Sequence, residues 1–158
     1  LGAEPGESKT GTSYWVGTQL PIIEDGKLGL EYNHGSQYWR PFTYAEDTMI
    51  GPKTAARGNA YEAYFTYQLT EALSAQLRYT KIDYEYTGSN SFFGSDGTPM
   101  KIDTIKDQAA WGEQYLAANP GADPETDQNA AMAYQAIGMA QNVVETAEDF
   151  RFYIRYRF

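Results

Sequence analysis

The sequence predicts an all-β chain, an antiparallel transmembrane β-barrel segment of about five strands with a helical extracellular insert. Three observations predict it. The final stretch, 150–158, alternates strictly: Phe150, Phe152, Ile154, Tyr156 and Phe158 fall on one face, Arg151, Tyr153, Arg155 and Arg157 on the other, because strand side chains alternate with period two. Further stretches upstream alternate in the same way. The connections between them are short, long, short and long in turn, which is the habit of bacterial outer-membrane barrels.

Composition agrees with this class and excludes others. The chain holds 14 Tyr, 7 Phe and 3 Trp, an aromatic share of 15%. Its mean hydropathy is −0.59, and it contains no apolar run long enough for a transmembrane helix. Barrel strands are only half apolar, so a low hydropathy leaves them untouched. With no Cys, the chain offers no disulfide, thiolate metal site or haem attachment. A formal charge of −9 argues against nucleic acid as a partner, since phosphate binding needs clustered Lys and Arg. The chain starts at Leu1 without Met or a signal peptide and reads as processed or partial, its export being inferred.

Taken in order, residues 1–12 read as a loop or linker rich in Gly, Glu, Ser and Lys. Residues 13–87 hold four antiparallel strands. The first, 13–20, sets Tyr14, Val16, Thr18 and Leu20 against Ser13, Trp15, Gly17 and Gln19. Asp25-Gly26 is a tight-turn signal, and the second strand, 27–33, puts Leu28, Leu30 and Tyr32 outward and Glu31 inward. The stretch 34–58, with Pro41, Pro52, Tyr38, Trp39, Phe42 and Tyr44, is too long for a hairpin turn. In the third strand, 59–69, Tyr61, Ala63, Phe65, Tyr67 and Leu69 oppose Glu62, Tyr64, Thr66 and Gln68. After a turn at 70–72, Leu73, Ala75, Leu77 and Tyr79 oppose Ser74, Gln76, Arg78 and Thr80. The apolar set then slips one residue to Ile82, Tyr84 and Tyr86, which a β-bulge near Thr80-Lys81 would repair, as would a strand leaving the membrane there.

Residues 88–149 form an acidic, helix-containing extracellular insert. A Gly/Ser loop, 88–97, leads to a helix that Thr104 can cap, reaching about Ala118 and stopped by Asn119-Pro120-Gly121. Asp123-Pro124 opens a second helix, reaching about Glu148. Its face of Ala133, Ile137, Ala140, Val144 and Ala147 is small enough to allow close approach of another helix. The closing strand, 150–158, ends the chain. With Phe158 at the periplasmic rim, the C-terminus is periplasmic, the short turns are periplasmic and the two long connections extracellular. Tyr14, Trp15, Tyr32, Tyr61, Tyr84 and Phe150 then cluster at the upper ends of their strands as an interfacial aromatic girdle. Five strands cannot close a barrel, since about eight is the minimum and an open edge in lipid leaves backbone groups unpaired. The missing partners are the remaining strands of the same barrel or further copies of the chain.

The stretches LGLEYNHGSQYW at 28–39, RGNAYEAYF at 57–65 and DYEYTGS at 83–89 resemble the C-terminal part of a Gram-negative family of outer-membrane β-barrel porins otherwise known as a domain of unknown function. The resemblance covers residues 12–89 and the closing strand, not the helical insert. It implies a bacterial outer-membrane location and a barrel fold, with no known substrate or active site. Members of that family are longer, which implies a fragment. Phe152, Ile154, Tyr156 and Phe158 resemble the C-terminal signal of Gram-negative outer-membrane proteins, which implies the barrel-assembly machinery as a partner, alongside outer-membrane lipid and lipopolysaccharide.

The inward faces carry Glu31, Glu62, Arg78, Arg151, Arg155 and Arg157 as lumen-lining candidates, with Asp83 and Glu85 beside them. Opposed acidic and basic rows set up a transverse field that favours polar solutes; pairing across neighbouring strands to stiffen the wall is the other reading. Asp123, Glu125 and Asp127 mimic the start of a calcium loop, but Gln128 stands where Gly is needed and Tyr134 where a bidentate Glu belongs. Weak calcium or magnesium binding by the insert, bridging to lipopolysaccharide, is the alternative to a solvated acidic cap; no cofactor is expected. His34-Gly35-Ser36 invites an esterase reading, yet no acid and nucleophile can be named to complete it, so the chain is not expected to be an enzyme. The expected function is a porin-like barrel passing small polar solutes or ions. The alternatives are a structural barrel that sleeves or binds a partner protein, or forms homo-oligomers, and a soluble β-rich surface protein.

Overall fold

Each alternating stretch forms a strand. In the computed structural model, which describes residues 8–41, 50–88 and 98–158, β1 is Ser13–Ile23, β2 Gly26–Gly35, β3 Gly58–Gln68, β4 Leu73–Tyr84 and β5 Thr146–Tyr156. They pair antiparallel in chain order as one open five-stranded sheet with β1 and β5 at its edges. The residues of the 1–7, 42–49 and 89–97 stretches, among them Phe42, Tyr44, Asp96 and most of the predicted Gly/Ser loop, lie outside the described residues.

The tight turn between β1 and β2 falls on Glu24 and Asp25, one residue before the predicted pair, and Gly26 already belongs to β2. Asp25 takes a positive φ of 61°, a conformation that Asp tolerates better than most residues. Between β3 and β4 the Thr70 hydroxyl accepts from the Leu73 N–H at 3.0 Å and caps the turn. Both turns and the C-terminus share one end of the sheet: the Gln68 N–H reaches the Asp25 carbonyl and the Arg157 N–H the Ala72 carbonyl, each at 2.8 Å. The long connections share the other end.

No bulge interrupts β4. Its register runs regularly from Gln68↔Ser74 to Gly58↔Tyr84 on one side and from Leu73↔Tyr156 to Asp83↔Thr146 on the other. Ile82 and Tyr84 therefore share the face of Arg78 and Thr80. The face itself changes character there. Ile82 and Tyr84 are 1% and 8% exposed, packed with Ile50, Ala56, Ala60, Ile102 and Ala147 beneath Val143 and Val144. Side chains from both long connections thus make a small apolar core over the upper part of the otherwise polar face, and the sequence turns apolar where that cover begins.

The insert folds as a helical hairpin, α1 at Ile102–Ala118 and α2 at Gln128–Ala140. Two helix starts differ from expectation. Lys101, without a side-chain cap bond, precedes α1, so Thr104 lies inside the helix. Asp127 rather than Asp123 caps α2, accepting from the Asn129 and Ala130 N–H groups at 2.9 and 3.3 Å. Asp123 instead closes a turn onto the Glu125 N–H. The second helix stops at Ala140, and the closing strand begins at Thr146, earlier than the predicted Phe150; Ala147 belongs to that strand and to the core under it. The small-residue contact is present between the two helices: a Cβ added at Gly112 would lie 2.8 Å from the Ala133 carbonyl oxygen.

Candidate functional site

The two faces of the sheet differ sharply. One carries Val16, Leu20, Leu30, Phe65, Leu77, Phe152 and Ile154, and most of these are open; Phe152 and Ile154 are 63% and 66% exposed. Tyr14, Tyr32 and Tyr61 cross its upper part as a row with ring centroids 5.9 and 5.3 Å apart. Phe150 stands opposite Tyr79 on the same face. Above the row the face becomes polar, with His34, Asn59, Lys81, Asp83 and Glu148. Tyr67, Tyr156 and Phe158 mark the lower end, the last two edge to face at 5.2 Å. The four residues of the predicted terminal signal all lie on this face or just past its last strand.

The other face is polar, and its charges are arranged against the usual pairing rule. Glu31 stands directly opposite Glu62, and Arg78 directly opposite Arg151. Like charges in facing positions repel, so each pair requires a counter-charge. Lys53 supplies it for the carboxylates. The 3-10 turn Lys53–Ala55 is tied down on this face by Asn33, whose side-chain amide donates to the Lys53 carbonyl at 3.2 Å, and by Trp39, whose indole donates to the Thr54 carbonyl at 2.7 Å. The Lys53 ammonium bonds Glu31 and also Glu62, the latter at 2.6 Å. Burial works to lower this ammonium, but the bonds and charges of Glu31 and Glu62 outweigh it and hold it above its ordinary value of 10.5. The Trp15 indole donates to Glu31 at 3.0 Å and the Thr80 hydroxyl to Glu62 at 2.9 Å. One lysine thereby bridges both carboxylates and offsets one of their two negative charges.

The arginines are less completely matched. Arg151 pairs with Asp149 and donates to the Tyr153 hydroxyl at 3.2 Å. Arg78 reaches Glu62 only at 3.7 Å, and its Nε is buried without a hydrogen bond among the described residues. Arg155 has the Gln76 side-chain oxygen at 3.3 Å, and the guanidinium groups of Arg78 and Arg155 each lie 5.4 Å from the Tyr153 ring centroid. A concavity of about 970 Å³ opens in front of them, lined also by Gln19, Lys27, Tyr64 and Arg157. The Tyr64 ring lies over Gly29, where an added Cβ would stand 2.0 Å from the ring.

The structure thus brings Glu31, Glu62 and Arg78 together and places Arg151, Arg155 and Arg157 along β5 beside them. Four sequence expectations need correction. Asp83 lies on the apolar side of the sheet, paired with Lys81 at 3.0 Å, and Glu85 accepts there from the Asn59 amide at 2.7 Å, because an unbroken β4 carries its odd-numbered residues outward. Trp15 lies on the polar face, folded over Gly17 toward Glu31. Tyr84 is a core residue whose hydroxyl reaches the Ile50 carbonyl at 3.3 Å, not a girdle residue. Lys53, the centre of the carboxylate cluster, was not anticipated: nothing local in a long Pro-containing loop marks which of its residues will fold back onto the sheet. Tyr153, Gln76 and Thr80 were legible as inward-facing, though not as ligands of those charges.

His34 sits on the apolar side beside the Tyr14 ring, with Nδ1 at 3.1 Å from the Asn59 side-chain oxygen. In the insert, both Asp127 carboxylate oxygens are engaged, one by the α2 N–H groups and the other by the Tyr115 hydroxyl at 2.6 Å. Among the described residues no three His, Cys, Asp or Glu side chains are grouped closely enough to hold a metal ion. Between the two helices a groove of about 390 Å³ is lined by Met100, Trp111, Met132 and Met139.

The chain belongs to the family described as Protein of unknown function (DUF3373), whose model matches residues 2–158. The match includes the helical insert, so the insert is part of the family's domain and not an addition outside it. No curated protein and no solved structure matches the chain.

Proposed function

We propose that the chain is part of the wall of an outer-membrane porin-like β-barrel, which passes small polar solutes or ions, has no catalytic role, and lies with its C-terminus in the periplasm and its long loops outside the cell. The single observation that carries this reading is the unlike character of the two faces. A broad exposed band of large apolar side chains on one side, bounded by tyrosine and phenylalanine rows, matches what lipid requires of a barrel exterior. Monomeric soluble proteins rarely leave such a patch open. The buried charges and open concavity lie on the opposite side, where a barrel keeps its lumen. The free edges of β1 and β5 pair with the remaining strands of the same barrel or with further copies, because unpaired backbone in lipid costs several kcal/mol per group.

The test is planar-bilayer recording of the complete natural protein. Stepwise ion conductance is the expected outcome; an absence of any ion-permeable open state would sink the porin reading. One observation favours a second reading, a structural barrel that binds a partner protein: Trp111, Met132 and Tyr134 are exposed on the helical hairpin. Under it the protein is membrane-embedded, non-conducting and recovered with a stoichiometric partner.

A further inference from the structure

We infer that the Arg78–Tyr153–Arg155 cluster is an anion-binding site, and that the solutes this wall selects are anions carrying a carboxylate or phosphate group. The inference deepens the porin reading and rests on it for the transport half only.

The paired like charges of the polar face are met differently. Where Glu31 faces Glu62, the fold supplies a cation from outside the sheet, Lys53, inserted between them. Where Arg78 faces Arg151, no such insertion exists among the described residues. Asp149 satisfies Arg151. Glu62 is already bound by Lys53 and Thr80, and is left 3.7 Å from Arg78. Arg78 keeps a buried Nε with no hydrogen-bond partner among the described residues. Among the described residues Arg155 meets only the neutral Gln76 and the Tyr153 ring.

Tyr153 holds the two guanidinium groups in place. Arg78 lies one cross-strand level above the Gln76↔Tyr153 pair and Arg155 one level below it, so both reach the ring from opposite ends. Ring contact orients a guanidinium without consuming its N–H donors. Those donors match the oxygens of a carboxylate or phosphate. Lys27 and Arg157 add positive charge around the same concavity, against Asp25 and Glu31 on its wall, Glu31 being held by Lys53. The protein as a whole carries −9, yet around this concavity Lys27, Arg78, Arg155 and Arg157 outnumber Asp25 and Glu31.

The experiment has two arms, both on the complete natural protein in detergent or bilayer. In the first, inorganic phosphate is titrated into wild type, Arg155→Gln, Arg78→Gln and a remote control, Lys101→Gln, by calorimetry. Saturable binding by wild type and Lys101→Gln, weakened about tenfold in Arg155→Gln, supports the site. Equal binding by wild type and Arg155→Gln, or no binding by wild type, overturns it. Arg155 is the primary variant because it makes no ion pair among the described residues, so its loss leaves the sheet intact. In the second arm, reversal potentials are read across a KCl gradient. Anion preference in wild type that falls in both arginine variants supports the inference, and cation preference unchanged by them overturns it. Phosphate binding lost in Arg155→Gln without any conductance would uphold the site while removing the porin reading.

Discussion

At the residue scale, Lys53 organises the polar face. It is the only cation contributed to this cluster from outside the strands among the described residues, and it lies between two carboxylates that face each other across the β2–β3 ladder. Lys53→Met removes that charge and should lower stability by about 2 kcal/mol in urea unfolding, less than for a fully buried pair because Lys53 keeps contact with solvent. The same substitution uncovers Glu31 and Glu62, so reversal potentials should move toward cations. The raised Lys53 pKa carries a pH sign: its contribution is complete below 10.5 and is lost as pH rises through the higher folded value. Asp127 has the opposite sign. The Tyr115 hydroxyl and the α2 N–H groups hold its carboxyl below the ordinary 3.8, so the cap is present above that value and is lost as pH falls beneath it. Asp127→Ala should reduce helicity near neutral pH and flatten the acid transition seen by far-UV circular dichroism; an unaltered transition would assign it to other groups.

At the element scale, each strand is a two-sided object whose faces answer to different surroundings. Leu77 and Gln76 are neighbours in β4, one on the open apolar face and one behind it on the polar face. For a strand in lipid, Leu77→Arg should cost about 2–4 kcal/mol of folding stability in a bilayer, while Gln76→Glu, which keeps an acceptor for Arg155 on the polar face, should cost little. Equal tolerance at both positions in lipid-vesicle folding assays would contradict a lipid-facing band. The helical hairpin obeys a different rule. Its helices approach through Gly112 and Ala133, so Gly112→Val must push them apart, and loss of hairpin protection in hydrogen exchange should leave the protection of β2 and β3 unchanged.

At the scale of the whole molecule, the chain has a direction. Short turns and the C-terminus occupy one end of the sheet, and the 34–58 connection and the helical hairpin the other. The chain contains no Cys, so single cysteines report their side cleanly. Glu113→Cys should react with a membrane-impermeant maleimide on intact cells, and Glu71→Cys only after the outer membrane is permeabilised. Reaction of Glu71→Cys on intact cells would invert the proposed orientation.

Much of this was readable before any tertiary contact was known. Alternation is a local property of the strand, so the sequence by itself determined the five strands, their antiparallel order, which residues share a face except beyond Thr80 in β4, and the small-residue seam of the hairpin. Strand order followed because short turns force neighbours to pair. What only the tertiary structure decided lies wherever a distant segment meets a strand. The apolar Ile82 and Tyr84 look like a slip in phase until the two long connections are seen to cover them. Glu31 and Glu62 look like free inward-facing acids until Lys53 is seen between them, and Trp15, inward by alternation yet expected in the aromatic girdle, is seen to bond Glu31 on the next strand. Periodicity reports the direction in which a side chain points; which charge or surface meets it there is set by loops whose path no local pattern encodes.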